Sequence, residues 1–195
     1  SKVVDDMKVR DTLESKSGFP DYTKRSEPAT KQHALQDARS GKWKDYPAIA
    51  LFRNYNQKTR LVWMFPMSTN IVEGSYFQPL YGALMRSGVL SGHQLAPMSG
   101  FETVRSLVTE AYCDNYSIAA SDFSSTDAHF VQETTLEVYD VIKDCFQPQF
   151  RDGLRESLVH MHNIPLVVSQ TTMLTGEHGV SSGSNWTNLI ETIFD

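Results

Sequence analysis

Hydrophobic and polar positions follow two periods along this chain, and the switches between them divide it into segments. Thr30 to Arg39 places Ala34, Leu35 and Ala38 on one face at helical spacing. After Pro47, the run Ala48-Ile49-Ala50-Leu51-Phe52 reads as a strand. A polar stretch from Arg53 to Arg60 separates it from Leu61-Val62-Trp63-Met64-Phe65, bounded by Pro66. That pattern predicts a hairpin. Asn70 to Leu84 is helical in spacing (Ile71, Val72, Tyr76, Phe77, Leu80), with an interruption expected at Gln78-Pro79 because proline removes a helix donor. Phe101 to Tyr112 repeats Phe101, Val104, Leu107, Val108 and Tyr112, an amphipathic helix. Tyr116 to Ala120 is a short β-prone run, extended to Ser121 as a strand. Phe130 to Phe146 predicts the clearest helix, with Phe130, Thr134, Val138, Val141, Ile142 and Cys145 on one face and Pro148 ending it. Arg151 to Met161 predicts a short helix before a strand-like Ile164-Pro165-Leu166-Val167-Val168, and another helix starts near Asn185. Helical segments thus outnumber strands, and the fold class expected is α+β, helix-rich with a small antiparallel sheet.

Composition narrows the partners. The 195 residues are 40% hydrophobic and 21% charged, with a net charge of −5. This is an ordinary globular balance. No Lys/Arg block forms a basic arm, so any nucleic-acid site must be a local patch inside an acidic shell. Cys113 and Cys145 lack zinc-ligand spacing, and reduced thiols are the default. No apolar run reaches membrane-spanning length, so no membrane partner is expected. The chain opens on Ser1 and stops at Asp195 inside a helical pattern. It reads as an excerpt of a longer protein.

Several stretches carry candidate chemistry. Asp122 and Asp127 flank Phe123-Ser124-Ser125-Thr126, following a strand and preceding a helix. A continuous strand would send residues five apart to opposite faces, but a Ser-Ser-Thr turn can bring both acids to one side. Paired acids at a strand end suit a hard divalent cation such as Mg²⁺. The plainer alternative is one Asp at the strand end and one capping the next helix. Lys58 and Arg60 share a face of the second hairpin strand, where two cations can grip a polyphosphate; a solvated hairpin tip is the alternative. Ser17-Gly18-Phe19-Pro20 is a turn signal. Gly176, Gly179 and Gly183, interleaved with serines, form a loop whose backbone N–H groups can meet a ligand. Gly179-Val180-Ser181-Ser182-Gly183 also fits the nucleophile elbow of serine hydrolases, yet no His follows His178 to complete a triad in that order. A non-catalytic RNA-binding domain is a third reading, without the aromatic-basic interleaving of a stacking platform. His160 and His162 read as surface or core histidines rather than metal ligands, since no Cys or third His lies nearby. Trp43, Trp63 and Trp186 read as packing residues.

Taken in order, these motifs resemble the RNA-dependent RNA polymerases of double-stranded RNA viruses, particularly the picobirnavirus type and more loosely the partitiviruses. Ser17-Gly18-Phe19-Pro20 looks like the template motif of the fingers, and Lys58 to Pro66 like the basic nucleotide motif. Asp122 to Asp127 looks like the first palm motif, and Gly179 to Thr187 like the palm loop and helix that follow. The resemblance implies fingers (1–105) and a partial palm (106–195) of a right-hand polymerase. It implies template-directed RNA synthesis from nucleoside triphosphates with Mg²⁺ (or Mn²⁺), with Asp122 on the metal and Asp127 reading the ribose 2′-OH. Lys58 and Arg60 would hold the triphosphate. Ser182, Gly183 and Thr187 would place template and ribose, and Ser17, Gly18 and Pro20 would guide the template. Glu191 stands where the family has a ribose-contacting Asn, so either Asn188 or Glu191 fills that role. The family's Gly-Asp-Asp motif does not occur within these residues. The implied partners are template RNA, nascent RNA, nucleoside triphosphates and the remainder of the polymerase chain, in the host cytoplasm within a virion or replication particle.

Overall fold

The computed structural model describes residues 1–10, 12–55, 57–87, 96–119 and 125–194. Eight α-helices and four strands are formed among them. The chain opens with α1 (Lys2–Val9) and reaches α2 (Pro28–Ser40), where Pro28 takes the first helical position and Gly41, in the left-handed region, ends the helix. The hairpin follows as β1 (Ala48–Tyr55) and β2 (Lys58–Met64), as the alternation predicts. The sheet is larger and more mixed than expected. Its order is β2-β1-β3-β4, with β3 (Leu166–Val167) parallel to β1 and β4 (Met173–Leu174) antiparallel to β3. The parallel pairing of Ala48 with Leu166 joins the two ends of the chain across the expected 105/106 boundary.

Three sequence expectations shift in the helices. Helix α3 (Met67–Ser87) runs unbroken through Pro79. Its far side is held by tertiary packing: Leu80 is buried with Phe130, Leu154, Leu158 and Trp186. Near its middle, Gly74 lies against Val3 of α1, and Gln78 Nε2 donates to the Val3 carbonyl at 3.3 Å. Such burial offsets the roughly 3 kcal/mol that an interior proline costs. The helix expected over 130–146 is the shorter α6 (Gln132–Ile142), preceded by the one-turn α5 (Thr126–His129) and followed by a 3-10 turn, Lys143–Cys145. Its buried stripe is Thr135, Val138 and Ile142, at i, i+3 and i+7, while Val141 is exposed. Pro148 does not terminate that helix but starts α7 (Pro148–Met161). Residues 116–119 are irregular rather than extended in a strand; Ala120 and Ser121 lie outside the described residues.

The main core gathers Leu80, Phe130, Val138, Ile142, Leu154, Leu158, Met161, Val180 and Trp186 with Leu189 and Ile190 of α8 (Thr187–Phe194). Trp186 is fully buried, and its indole N–H donates to Ser157 Oγ at 3.0 Å, which satisfies its only polar atom. A second cluster of Met7, Leu13, Ala34, Met67 and Ile71 fastens α1 and α2 to α3. Helix α4 (Phe101–Cys113) forms over the predicted residues but buries none of them.

Candidate functional site

The palm loop docks on the edge of the hairpin. Trp63 of β2 pairs with Ala50, and β2 lies at the end of the sheet, so its outward backbone groups need a partner. The Trp63 N–H donates to Ser182 Oγ at 3.3 Å. A methyl group at Gly183 would overlap the Trp63 carbonyl and come within 2.6 Å of the Phe65 ring, so only glycine lets the two backbones lie this close. Loop and strand therefore meet main chain to main chain. Earlier in the loop, Gly179 lies against the carbonyls of Asp127 and Ala128, and Val180 N–H donates to the Phe130 carbonyl at 3.2 Å. The loop is thus wedged between the basic hairpin and the segment carrying Asp127.

Cations line the outer part of the hairpin. Lys58 and Arg60 are exposed and share a face of β2, as the two-residue period requires. The register adds a third member that sequence spacing did not reveal. Arg53 stands directly opposite Arg60, and cross-strand partners project to the same face. Lys58, Arg60 and Arg53 thus put three cations on one face of the hairpin, and an arginine there can bind two oxygens of a phosphate at once. At about 3.3 Å per residue, Arg60 and Lys58 lie roughly 10 and 16 Å along β2 from Trp63.

Helix α3 supplies a buried polar floor that sequence reading missed altogether. Asn70 and Glu73 lie on its first turns, where Ser68 and Thr69 are also buried. Asn70 Nδ2 donates to Glu73 Oε2 (3.1 Å) and to the Gly183 carbonyl (3.0 Å), while its Oδ1 accepts from Arg25 Nη2 (2.8 Å). The Asn70 carbonyl accepts from Asn185 Nδ2 at 2.9 Å. Glu73 accepts from Ser184 Oγ (2.7 Å) and from the Asn185 N–H (2.8 Å). Burial pushes the Glu73 carboxyl up to about 7, opposed by these donors and by the Arg25 charge. Burial also lowers the Arg25 guanidinium from its ordinary value, with Glu73 opposing. A Glu and an Arg 48 positions apart give no periodic signal, so only the folded geometry reveals the pair.

The Ser17-Gly18-Phe19-Pro20 turn sits at the same junction. Ser17 is buried, and its carbonyl accepts from Met67 N–H at 2.8 Å. Gly18 has φ +72°, and a Cβ there would come within 2.8 Å of the Phe65 carbonyl, so both conformation and space demand glycine. Phe19-Pro20 is cis, and Pro20 is half-buried in the turn. Arg25 ties this segment to Asn70 and, through its Nε, to the Lys16 carbonyl at 3.0 Å.

Other expected residues are placed as follows. Asp122 lies outside the described residues. Asp127 is exposed in the first turn of α5; Ser125, not Asp127, is the N-cap, so the capping alternative does not hold. Thr187 is buried, and its Oγ1 donates to the Ser181 carbonyl at 2.8 Å, closing the loop onto the start of α8. Asn188 is exposed beside a cavity of mixed lining, about 270 Å³, to which Met7, Phe77, Arg10, Arg25, Asn70 and Ser184 contribute. Glu191 is half-buried on the next turn. Among the described residues no three His, Cys, Asp or Glu side chains converge as a metal cluster. The exposed Asp127 carboxylate is nonetheless of the hard oxygen type that Mg²⁺ or Mn²⁺ takes.

The elbow and histidine alternatives dissolve in this geometry. Ser181, which a hydrolase would expose, is buried, and its Oγ has no hydrogen-bond partner among the described residues. His178, three positions before it, faces the carbonyls of Gly179 (2.7 Å) and Ile164 (3.1 Å). His162 is a core residue: its Nδ1–H donates to the His178 carbonyl at 2.8 Å, which leaves Nε2 to accept from Thr135 Oγ1 at 2.7 Å. Burial lowers the His162 imidazole and drives that of His160, packed edge-on against Trp43, down to about 4. Trp43 and Trp186 are core residues, and half-buried Trp63 packs against His178 in a tilted contact with ring centroids 4.5 Å apart.

Comparison with known proteins identifies the family and the fold. The family model described as viral RNA-dependent RNA polymerase matches residues 55–195. A potential RNA-dependent RNA polymerase of human picobirnavirus (strain Human/Thailand/Hy005102/-) is 29% identical over 140 residues, covering 70% of this chain and 25% of its own length. The crystal structure of a human picobirnavirus RNA-dependent RNA polymerase superimposes on 99% of this chain and 39% of its own, with a TM-score of 0.73 at 23% identity. Its insertion-loop deletion mutant gives the same TM-score at 24% identity, with 99% and 40% covered. The Sicinivirus 3Dpol polymerase follows at 0.61 and 15% identity, covering 93% and 43%. The chain spans about a quarter of the curated relative and about two-fifths of these structures. With the family model matching well over half of its length, the chain belongs to the viral RNA-dependent RNA polymerase family.

Proposed function

We propose that this chain contributes the fingers (1–105) and the first part of the palm (106–195) to template-directed RNA synthesis. In that reaction the 3′-OH of nascent RNA attacks the α-phosphorus of a nucleoside triphosphate, and pyrophosphate leaves. One observation supports the reading most strongly: the Ser182-Gly183 loop lies backbone to backbone on β2, the strand that carries Lys58 and Arg60. A triphosphate gripped by Lys58, Arg60 and Arg53 would have its sugar end toward the palm loop. Arg can bind two phosphate oxygens at once, and Lys adds a point charge, so the leaving pyrophosphate meets fixed positive charge as its own charge develops. Asp127, exposed beside Gly179, is free of the capping role and is assigned the ribose 2′-OH. Asn188, on the open side of α8, is the amide assigned to assist it. Ser17, Gly18 and Pro20 are assigned to the template, and Thr187 holds the loop that positions it.

Asp122 would hold the divalent cation, Mg²⁺ or Mn²⁺, which supplies Lewis-acid stabilisation of the phosphate oxygens. The working environment assigned to it is the host cytoplasm, within a virion or replication particle.

Primer extension by the full-length protein on a defined template tests this reading. Wild-type protein is expected to extend a primer with all four ribonucleotides. Arg60→Ala should raise the nucleotide KM and lower kcat, and Asp122→Asn should reduce turnover by roughly a thousandfold or more. Wild-type protein that binds RNA but extends nothing would leave a non-catalytic RNA-binding domain in its place.

A further inference from the structure

The polar floor beneath the palm loop has a design that its packing role alone does not require. Glu73 is fully buried, yet it spends both oxygens on the loop: Oε1 on Ser184 Oγ, and Oε2 on the Asn185 N–H as well as Asn70. Asn70 holds the Gly183 carbonyl with the same amide group that reaches Glu73. Ser184 Oγ in turn accepts from Trp186 N–H at 3.1 Å, which carries the constraint into the start of α8. Gly183, Ser184 and Asn185 are therefore each fixed by helix α3, and Ser182, immediately before them, is fixed by Trp63. On the opposite side, Arg25 brings the template motif onto the same Asn70. A buried carboxylate is expensive unless it is hydrogen-bonded, and two of the three donors that satisfy this one come from the loop. The carboxylate is retained where a loop must be held at one exact position.

We propose that Glu73 is a positioning residue for nucleotide addition: with Asn70 it clamps Gly183 to Asn185 and couples the template motif, through Arg25, to the palm loop. The clamp acts on geometry, not on bonds of the substrate, and it rests on the polymerase reading above. Loosening it lets Ser182 and Gly183 drift from the β2 edge, so reactive alignment is lost while RNA still binds.

The test is single-nucleotide addition by the full-length protein, with rates expressed per active site counted by burst titration. A residue needed only for folding lowers the number of active sites and leaves turnover per site unchanged. Glu73→Ala is expected to lower kcat per site at least tenfold while the dissociation constant for template-primer changes less than threefold. Glu73→Gln keeps an acceptor for the Asn185 N–H and a donor for Ser184 Oγ, so it should stay within threefold of wild type. If Glu73→Ala fails to fold, Ser184→Ala removes one clamp donor, together with the acceptor of the Trp186 N–H, and should lower kcat per site at least threefold. Unchanged turnover per site in the alanine variants, or a glutamine variant as slow as the alanine one, overturns the clamp. Wild-type protein inactive in the same assay would overturn the polymerase reading and the clamp with it, whereas active wild type with unaffected variants overturns the clamp alone.

Discussion

Helices α3 and α4 invert what their sequences promise. The α4 pattern is a regular apolar stripe, yet Phe101, Val108 and Tyr112 are 76%, 48% and 75% exposed, and no residue of the helix is buried. The α3 pattern is interrupted by Pro79 and rich in polar residues, yet it runs 21 residues and buries Ser68, Thr69, Asn70 and Glu73 alongside Met67, Ile71 and Leu80. Periodicity reports a helix's capacity to bury a face, not whether a partner is there to cover it. Asn70 and Glu73 can lie inside because another segment supplies their hydrogen bonds, the palm loop for both and Arg25 for Asn70. The functional loop is anchored on the helix whose sequence looked poorer.

If that contrast is right, the largest penalty falls on α3. Asn70→Ala strips partners from Arg25, Glu73 and the Gly183 carbonyl at once. Each buried group left unpaired costs about 1–3 kcal/mol. Urea unfolding should show a loss of about 4 kcal/mol, and a loss under 1 kcal/mol would mean water replaces the amide.

The next effect is a pH dependence hidden by compensation. Glu73 titrates near 7 in the folded chain against an ordinary 4.5, so its contribution is fully present below pH 4.5 and fades as pH rises toward 7. His160 titrates near 4 against an ordinary 6.5, so its contribution is present above pH 6.5 and fades as pH falls toward 4. Each shift corresponds to about 3 kcal/mol. Between pH 4.5 and 6.5 the two slopes oppose one another. Glu73→Gln should therefore make stability rise with pH across that window relative to wild type, and His160→Phe should make it fall, by up to about 3 kcal/mol each. Parallel pH profiles for all three proteins would refute both shifts.

These residues also mark the limit of what sequence could reveal. The hairpin, the palm loop and the Lys58/Arg60 face were legible because local period and turn chemistry determine them. Arg53 was not, because its place beside Arg60 depends on strand register. Glu73 and Arg25 resemble ordinary surface charges until α3 and the loop are brought together. The α6 stripe was misread by a residue because Thr135 is drawn inward by His162, a contact 27 positions away. The run at 116–119 has strand propensity but no strand beside it among the described residues, and propensity alone does not make a ladder.

Pro79 offers a smaller, opposite test of α3. Packing of Leu80 and the approach of α1 hold the helix despite the missing donor. Restoring a good helix former should then stabilise rather than disturb it. Pro79→Ala is expected to add about 1 kcal/mol in urea unfolding, well below the full interior proline cost because the surroundings are already adapted to the ring. A loss of stability would show that the proline ring itself fills space beside Tyr76 and Phe146, which share a cavity with it.

The smallest effect belongs to α4. Leu107 is half-buried and Val108 about half exposed, so neither side chain has much to lose in this chain. Val108→Asp places a charge in the middle of the apolar stripe. Were the stripe packed, an unpaired buried charge would cost several kcal/mol. On an exposed face the change should fall within about 0.5 kcal/mol, the usual range for surface sites, plus a slight loss of apolar contact with the helix's own neighbours. Thermal unfolding of this chain with and without the substitution measures it directly. A drop above 2 kcal/mol would mean that α4 packs on the rest of the chain, and the contrast with α3 would collapse. A negligible change here beside a large one at Asn70 would establish that the polar helix, not the amphipathic one, carries the palm loop.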